Sequence, residues 1–228
     1  MQTDYIDLYQ LHWPERNTNY FGKRTYVHDS SDTWNDNFLE VLGTLNNLVK
    51  QGKIRNIGIS NETPWGTMRY LEEVRKNPDL PRPITIQNPY SLLNRQYETG
   101  MSEISAHENI GLLAYSPLGF GVLSGKYLGG KMPENARITL FPNYNRYIKE
   151  SAVKATEKYN ELAKDNGLSL TQMSLAYVNT RSFLTSNIIG ATSIAQLKEN
   201  IESIHVELSD AVLQGINEIH EQIPNPAP

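Results

Sequence analysis

Residues 54–66, IRNIGISNETPWG, join an apolar run to the start of a helix and so define the repeating unit of this chain. Residues 54–59 are short, apolar and rich in β-branched side chains, which is typical of a buried strand. Thr63 and Pro64 follow as an N-cap and a proline at the first helical position, and this pair predicts a helix. A strand followed directly by a helix is the building unit of a parallel α/β sheet.

Four further apolar runs repeat this pattern along the chain. They lie at residues 5–11, 84–87, 111–115 and 187–189. Residues of helical period separate them, and capping-box spacings at Ser169 with Gln172 and at Ser193 with Gln196 predict later helix starts. The alternation of five strands with helices predicts an α/β fold with a parallel sheet. We expect the tail at residues 224–228, PNPAP, to fray, because proline cannot continue a helix.

Composition limits the classes of function. The 228 residues carry 21 Lys and Arg against 25 Asp and Glu, a net charge of −4 without a dense basic run, so we expect no nucleic-acid partner. The absence of cysteine excludes disulfides and thiol nucleophiles, and the five histidines lack the spacing of a metal site. No apolar run of about 18 residues and no signal-peptide pattern occurs, so we expect no membrane partner and a cytoplasmic location.

Residues 7–14, DLYQLHWP, place His12 directly after a predicted strand. The carboxyl ends of parallel strands are where ligands bind, and a neutral imidazole there can polarise a carbonyl or relay a proton. A packed histidine without a chemical role is the alternative. Two long loops, at residues 14–34 and 119–146, also follow predicted strands. We expect them to contact substrate and cofactor, with plain surface decoration as the alternative.

Residues 113–119, LAYSPLG, bring Tyr115 to the end of a predicted strand, and Lys126 follows within a glycine-rich turn. An aromatic face can stack on a flat heterocycle. Glycine lets backbone N–H groups approach a phosphate, which a lysine can neutralise. The spacing of glycine and lysine differs from that of a Walker motif. A capped strand with a glycine-rich turn is the alternative interpretation.

Residues 188–200, IIGATSIAQLKEN, lead from a predicted strand through small residues into a helix. The free N–H groups and the positive dipole end of that helix form an anion site. Gln196, Glu199 and Asn200 share one helix face, and their polar groups suit an adenine or ribose edge. A capping box on a solvated helix explains the same residues, so both interpretations stay open. No Gly-x-Gly-x-x-Gly follows a strand, which disfavours a Rossmann domain.

Six motifs, in order and at matching spacing, resemble the aldo-keto reductase family, most closely its bacterial NADP-dependent branch. The motifs are DYIDL with His12 (residues 4–12), GKIR with GISN (52–61), QNPYSLL (87–93), YSPL (115–118), LSGKY (123–127) and GAT (190–192). The resemblance runs over essentially the whole chain and takes in the C-terminal two-thirds of a family chain only. It implies a (β/α)8 TIM barrel that transfers hydride from NADPH to an aldehyde or ketone.

The resemblance also implies roles for individual residues. His12 matches the histidine of the family's catalytic tetrad, and Tyr115 matches the ring on which the nicotinamide lies. The other residues that match the NADP(H) site are Ser60, Asn61 and Gln87 for the carboxamide, Ser116, Pro117, Leu118, Gly119 and Lys126 for the pyrophosphate side, Arg137 for the adenosine phosphate, and Gly190, Thr192, Gln196, Glu199 and Asn200 for the adenosine end.

One departure from the family pattern concerns the rest of the tetrad. Its Asp, Tyr and Lys belong to the first three βα units, for which this sequence has no counterpart. The resemblance therefore predicts one domain over residues 1–228, an incomplete (β/α)8 barrel with strands 4 to 8, their helices and a C-terminal helix. We expect a truncated reductase that is inactive by itself. The alternatives are a non-catalytic, cofactor-binding module resembling potassium-channel β subunits, and an unrelated phosphate-binding barrel such as a lyase.

Overall fold

The computed structural model describes residues 2–228. Within that range the strands are β1 Ile6–Leu11, β2 Ile54–Ser60, β3 Pro83–Pro89, β4 Gly111–Tyr115 and β5 Leu184–Asn187. The α-helices are α1 Phe38–Lys50, α2 Pro64–Lys76, α3 Met101–Glu108, α4 Arg137–Leu140, α5 Glu150–Asp165, α6 Leu170–Asn179, α7 Ile194–Glu202 and α8 Asp210–Gln222. Short 3-10 helices lie at Gln96–Thr99, Gly119–Ser124, Leu128–Gly130, Asn145–Ile148 and Ser203–His205.

The described strands form one sheet with the order β1-β2-β3-β4-β5. β1 pairs in parallel with β2, and β2 pairs in parallel with β3. Because parallel neighbours need a crossover connection, α1 joins β1 to β2 and α2 joins β2 to β3. The predicted α/β fold with a parallel sheet is therefore confirmed, and it is consistent with the barrel that the resemblance implies.

The chain divides into two compact units. The described part of the first unit comprises residues 2–88 and Gly100–Leu113, and the second comprises Pro89–Thr99 and Ala114–Pro228. None of the described helices is long and apolar enough to cross a membrane.

The core of the first unit lies between α1 and β2. Leu42 and Leu45 on α1 are buried, as are Ile57 and Ile59 on β2, and α1 contacts both β2 and α2. Burying one such aliphatic side chain stabilises a fold by about 1.5–3 kcal/mol. The predicted N-cap at Thr63 is present, since its hydroxyl accepts a hydrogen bond from the N–H of Gly66. The packed α1–β2 pair thus fixes where the carboxyl end of β2 lies.

The core of the second unit is built by α5, α6 and α8. Tyr159 on α5, Tyr177 on α6 and Ile216 on α8 are buried, and α5 contacts both other helices. The capping box predicted for α6 is complete, because the Ser169 hydroxyl accepts from the Gln172 N–H and the Gln172 side chain accepts from the Ser169 N–H. Local sequence signals therefore placed this helix start correctly.

The fifth strand was predicted at residues 187–189, and that prediction was wrong. β5 comprises Leu184–Asn187 and ends where the predicted strand begins. The chain stays hydrogen-bonded just past the strand, because the N–H of Ile188 donates to the carbonyl of Ala114 at 2.8 Å. Thr185 and Ser186 are exposed, and an outer strand of a sheet can be polar. The prediction followed the apolar residues 188 and 189, which lie just after the strand.

The expected fraying of the C-terminal tail was also wrong. Pro226, Ala227 and Pro228 are buried. The N–H of Ala227 donates to the carbonyl of Leu93 at 3.0 Å, and the side-chain oxygen of Asn225 accepts from the N–H of Arg95 at 2.7 Å. Proline ends the last helix as expected, but the backbone beyond it finds partners in the second unit instead of water.

Candidate functional site

The histidine predicted to act on a carbonyl lies at the carboxyl end of β1 in the first unit. The His12 side chain is exposed, and its ring centroid lies 4.3 Å from that of Trp13 and 6.5 Å from that of Phe21. The backbone carbonyl of His12 accepts a hydrogen bond from the Asn61 side-chain amide at 2.7 Å. The imidazole is therefore open to a ligand while its backbone is held by the neighbouring strand end.

The three residues predicted to hold a carboxamide form one hydrogen-bonded group in the first unit. Ser60 Oγ donates to the carbonyl of Gln87 at 2.6 Å, and Asn61 Nδ2 donates to Ser60 Oγ at 3.1 Å. The N–H of Asn61 also donates to the carbonyl of Gln87 at 3.0 Å. Because β1, β2 and β3 are parallel, these residues and His12 meet at the carboxyl edge of the same three strands.

Asn61 has a backbone conformation that side chains other than glycine rarely adopt. Its φ is +53°, in the left-handed region where asparagine is better tolerated than most residues. Such a conformation persists only where the surroundings hold it, and it tends to occur at functional positions. Here it turns the chain from β2 towards α2 and directs the Asn61 amide to His12.

Gln10 is a residue of this edge that sequence reasoning missed. Gln87 Nε2 donates to Gln10 Oε1 at 2.9 Å, while Gln10 Nε2 is buried and has no hydrogen-bond partner among residues 2–228. A buried donor without a partner is costly, and a ligand acceptor would satisfy it. Gln10 lies in β1 two positions before His12, which directly follows the strand, and this spacing of two was the available signal.

A carboxamide fits the donor set at this edge. It offers one carbonyl acceptor and one NH2 donor. The side-chain amides of Asn61, Gln87 and Gln10 carry groups of both kinds, with the Ser60 hydroxyl and the Asn61 NH2 already donating within the protein. Gln10 Nε2, which has no hydrogen-bond partner among residues 2–228, adds a further donor close by. The first unit therefore carries polar groups that suit a carboxamide. Among residues 2–228, no cluster of three or more acidic or histidine side chains could hold a metal ion.

In the second unit, Tyr115 ends β4 and is half-buried. Burial raises the pKa of Tyr115 to about 12, although the nearby Arg146 guanidinium, which also hydrogen-bonds to the tyrosine, opposes the shift. The phenol therefore stays neutral at ordinary pH. Ser116 follows with a φ of +55°, and its carbonyl accepts from the N–H of Gly119 at 2.9 Å.

The glycine-rich turn after Tyr115 forms a surface that a side chain would fill. Gly121 has a φ of +90°, and a Cβ there would lie 3.0 Å from Lys126 Cε and 3.1 Å from Lys126 Nζ. Glycine thus lets the ammonium group lie directly against the backbone. The carbonyl of Leu118 accepts from the N–H groups of Gly121 and Leu123, which closes the turn. A compact loop with an apposed cation suits a phosphate group.

Arg137 is exposed and stacks on two aromatic rings of the second unit. Its guanidinium carbon lies 4.2 Å from the ring centroid of Phe120 and 5.5 Å from that of Tyr144. Stacking of this kind holds a guanidinium in place while its N–H groups still reach outward. The structure therefore places the arginine beside the glycine-rich turn, because Phe120 belongs to that turn.

The residues predicted for an adenosine end divide into two groups. Gly190, Thr192 and Gln196 are exposed, whereas Asn200 is buried and donates to the carbonyl of Gly190 at 3.2 Å. The Gln196 side-chain oxygen accepts from Thr192 at 2.9 Å and 3.0 Å. The Glu199 carboxylate accepts a hydrogen bond from the hydroxyl of Ser169, the N-cap of α6. Much of this polar face therefore shapes the turn before α7.

A capping box was the alternative to an anion site at the start of α7, and only half of that box is present. Ser193 Oγ accepts from the N–H of Gln196 at 3.3 Å, but the Gln196 side chain bonds Thr192 in place of Ser193. A Cβ on Gly190 would meet no described atom within 4 Å, so the turn is open on that side. An exposed turn at a helix N-terminus fits an anionic group.

Parallel α/β proteins bind their ligands at the carboxyl edge of the sheet, and this chain carries polar side chains at that edge. The sequence model described as the aldo/keto reductase family matches residues 1–221, so the chain belongs to the aldo/keto reductase family. The match covers nearly the whole chain and not only its C-terminal two-thirds.

Three relatives show the range of similarity. The protein Tas of Escherichia coli is 50% identical over 233 residues, which cover 100% of this chain and 65% of Tas. An aldo-keto reductase of Babesia bovis is 38% identical over 235 residues, covering 96% of this chain and 82% of the relative. The NADH-specific methylglyoxal reductase of Escherichia coli is 27% identical over 223 residues, which cover 96% of this chain and 60% of the relative. This chain thus spans about 65% of the length of Tas.

Proposed function

We propose that this chain serves the transfer of hydride from NADPH to the carbonyl carbon of an aldehyde or ketone. The observation that carries the proposal is the hydrogen-bonded group of Ser60, Asn61 and Gln87 next to His12 at one sheet edge. When bound, the nicotinamide supplies the hydride. The protein's own part is to hold the carboxamide and to orient the carbonyl substrate.

In the first unit, His12 orients the substrate. Its exposed imidazole donates a hydrogen bond to the carbonyl oxygen, which draws electron density away from the carbonyl carbon. The bond from Asn61 to the His12 carbonyl fixes the backbone from which the imidazole projects. Ser60, Asn61 and Gln87 hold the carboxamide and so determine the orientation of the nicotinamide ring.

In the second unit, the proposed residues bind the remaining parts of the cofactor. Tyr115 offers its ring face to the nicotinamide. The other proposed contacts are Ser116, Pro117, Leu118, Gly119 and Lys126 for the pyrophosphate, Arg137 for the adenosine phosphate, and Gly190, Thr192, Gln196, Glu199 and Asn200 for the adenosine end. The backbone turns, the apposed ammonium of Lys126 and the stacked guanidinium of Arg137 support this assignment.

The stacking assignment is tested by replacing Tyr115. We expect Tyr115→Ala to weaken NADPH binding by about tenfold or more, because stacking of a base on an aromatic ring contributes about 1–3 kcal/mol. Tyr115→Phe is the matched control, since it keeps the ring and removes only the hydroxyl, and it should bind nearly as well as the parent chain. Fluorescence titration with NADPH measures both. A parent chain that does not bind NADPH, or an alanine variant that binds equally well, would overturn the proposal.

The preference for the phosphorylated cofactor is proposed to depend on Arg137. Because one charge-assisted contact is lost, we expect Arg137→Gln to weaken NADPH binding by about tenfold while leaving NADH binding unchanged. Lys131→Gln removes an exposed positive charge of the same loop and serves as the control. Parallel titrations with NADPH and NADH give the ratio of affinities. An equal loss for both cofactors would contradict this role.

A further inference from the structure

A buried ion pair in the first unit links the loop after His12 to the end of β2. Arg16 Nη1 donates to Glu62 Oε2 at 3.1 Å, and Arg16 Nη2 donates to Glu62 Oε1, so the contact is bidentate. The side chains are only 9% and 3% exposed. Removing two charges from water is costly, and an apolar pair of similar volume is often as stable. Stability alone therefore explains this pair poorly.

The surroundings of the pair are shaped to receive it. The Arg16 guanidinium carbon lies 4.9 Å from the ring centroid of Trp65 and 5.6 Å from that of Phe38. A Cβ on Gly66 would collide with the Glu62 carboxylate and with the Arg16 guanidinium. Glycine inside a helix costs about 1 kcal/mol relative to alanine, so the first turn of α2 gives up stability where it makes room for the pair.

The backbone of Glu62 is held as tightly as its side chain. The side chain of Asn88 accepts from the Glu62 N–H at 3.1 Å and donates to the Glu62 carbonyl at 2.8 Å. Asn88 follows Gln87 in β3, and Glu62 follows Asn61, the residue with the left-handed backbone. Any shift of Glu62 would therefore move residues proposed to hold the carboxamide.

The pair adds to the side-chain hydrogen bonds between the β1 end and the β2 end. Asn61 donates to the carbonyl of His12, and Arg16, four residues further on, bonds Glu62 and also donates to the Thr63 hydroxyl at 3.0 Å. We propose that Arg16 and Glu62 are positioning residues that fix the spacing between His12 and Asn61 and thereby set the geometry of the carboxamide site. This inference rests on the proposed function.

The test compares two ligands that differ in the nicotinamide. NADPH carries the carboxamide, whereas adenosine 2′,5′-bisphosphate carries only the adenosine end. We expect Glu62→Gln to weaken NADPH binding by about tenfold and to leave adenosine 2′,5′-bisphosphate binding unchanged. Glu72→Gln makes the same chemical change at a half-exposed ion pair of α2 and should alter neither affinity.

Two further variants keep the test decisive if Glu62→Gln folds poorly. Arg16→Lys keeps the charge but not the bidentate contact, so it should show a smaller loss that is again confined to NADPH. Gly66→Ala displaces the pair without changing any charge and should reproduce the selective loss. Equal losses for both ligands, or no loss for NADPH in a folded variant, would overturn the inference. A parent chain that binds adenosine 2′,5′-bisphosphate but not NADPH would overturn the proposed carboxamide site itself.

Discussion

Arg95→Met is expected to lower the free energy of unfolding by about 3 kcal/mol, because it leaves a partly buried carboxylate without its cation. Arg95 Nε and Nη2 donate to the two oxygens of Glu98, each at 2.7 Å, and Arg95 Nη1 donates to Asn217 at 2.9 Å. The hydroxyls of Tyr90 and Tyr177 also donate to Glu98, but they carry no charge. Arg95 thus supplies a cation in direct contact with both carboxylate oxygens of Glu98, while the charge of Arg181 adds a smaller Coulombic contribution.

Urea denaturation of the variant and the parent chain measures this loss. Lys154→Met is the matched control, because Lys154 pairs with Glu150 on the exposed surface of α5, where an ion pair contributes little. Its unfolding midpoint should equal that of the parent chain. Equal midpoints for Arg95→Met and the parent chain would contradict the argument that Glu98 needs this cation.

The same variant should reverse a pH dependence. Burial acts to raise the pKa of Glu98, but hydrogen bonds from Arg95 and Tyr90 outweigh it and hold the pKa below its usual 4.5. A lowered pKa stabilises the folded state above about pH 4.5, and this contribution disappears as the pH falls through the folded-state pKa. In Arg95→Met burial dominates, so Glu98 should then destabilise the fold as the pH rises. Denaturation midpoints at several acidic pH values show whether the stability of the variant rises or falls with pH.

Strand ends were predictable from sequence because their signals are local. An apolar run followed by a polar residue located His12 and Asn61 within one residue of the strand ends that the structure shows. The N-caps at Thr63 and Ser169 were equally readable, since each depends on a side chain and an N–H group three residues away. Only β5 was misplaced, because its exposed polar residues carry no periodic apolar signal.

The buried ion pair of Arg16 and Glu62 and the packing of the C-terminal tail could not be predicted, because the residues in contact are far apart in sequence. Arg16 lies in a polar loop, and nothing near it indicates a partner 46 residues away at Glu62. The tail ends a helix through its prolines, but it is held by Leu93 and Arg95, more than a hundred residues earlier. Local patterns predicted the positions of the candidate residues, while tertiary contacts determine which of them are held in place.

A polypeptide of these 228 residues, assayed by itself, is expected to reduce aldehydes about 10²–10⁴-fold more slowly than a family enzyme that carries all four tetrad residues, because general acid catalysis contributes a factor of that size. Of the four tetrad residues that the resemblance implies, only His12 has a match in this sequence. His12 can orient a carbonyl, but no matched tyrosine donates the proton that must reach the oxygen after hydride transfer. The chain is therefore expected to bind cofactor without rapid turnover.

The decrease in NADPH absorbance in the presence of simple aldehydes measures turnover. The positive control is the NADH-specific methylglyoxal reductase of Escherichia coli, assayed with methylglyoxal and NADH. Slow turnover could also arise from a misfolded sample, so the same preparation must bind NADPH in a manner that Tyr115→Ala weakens and Tyr115→Phe preserves. Turnover comparable to that of the methylglyoxal reductase would mean that another group of this chain donates the proton. His12 would then be the first residue to replace, because its exposed imidazole is the group proposed to donate a hydrogen bond to the carbonyl oxygen.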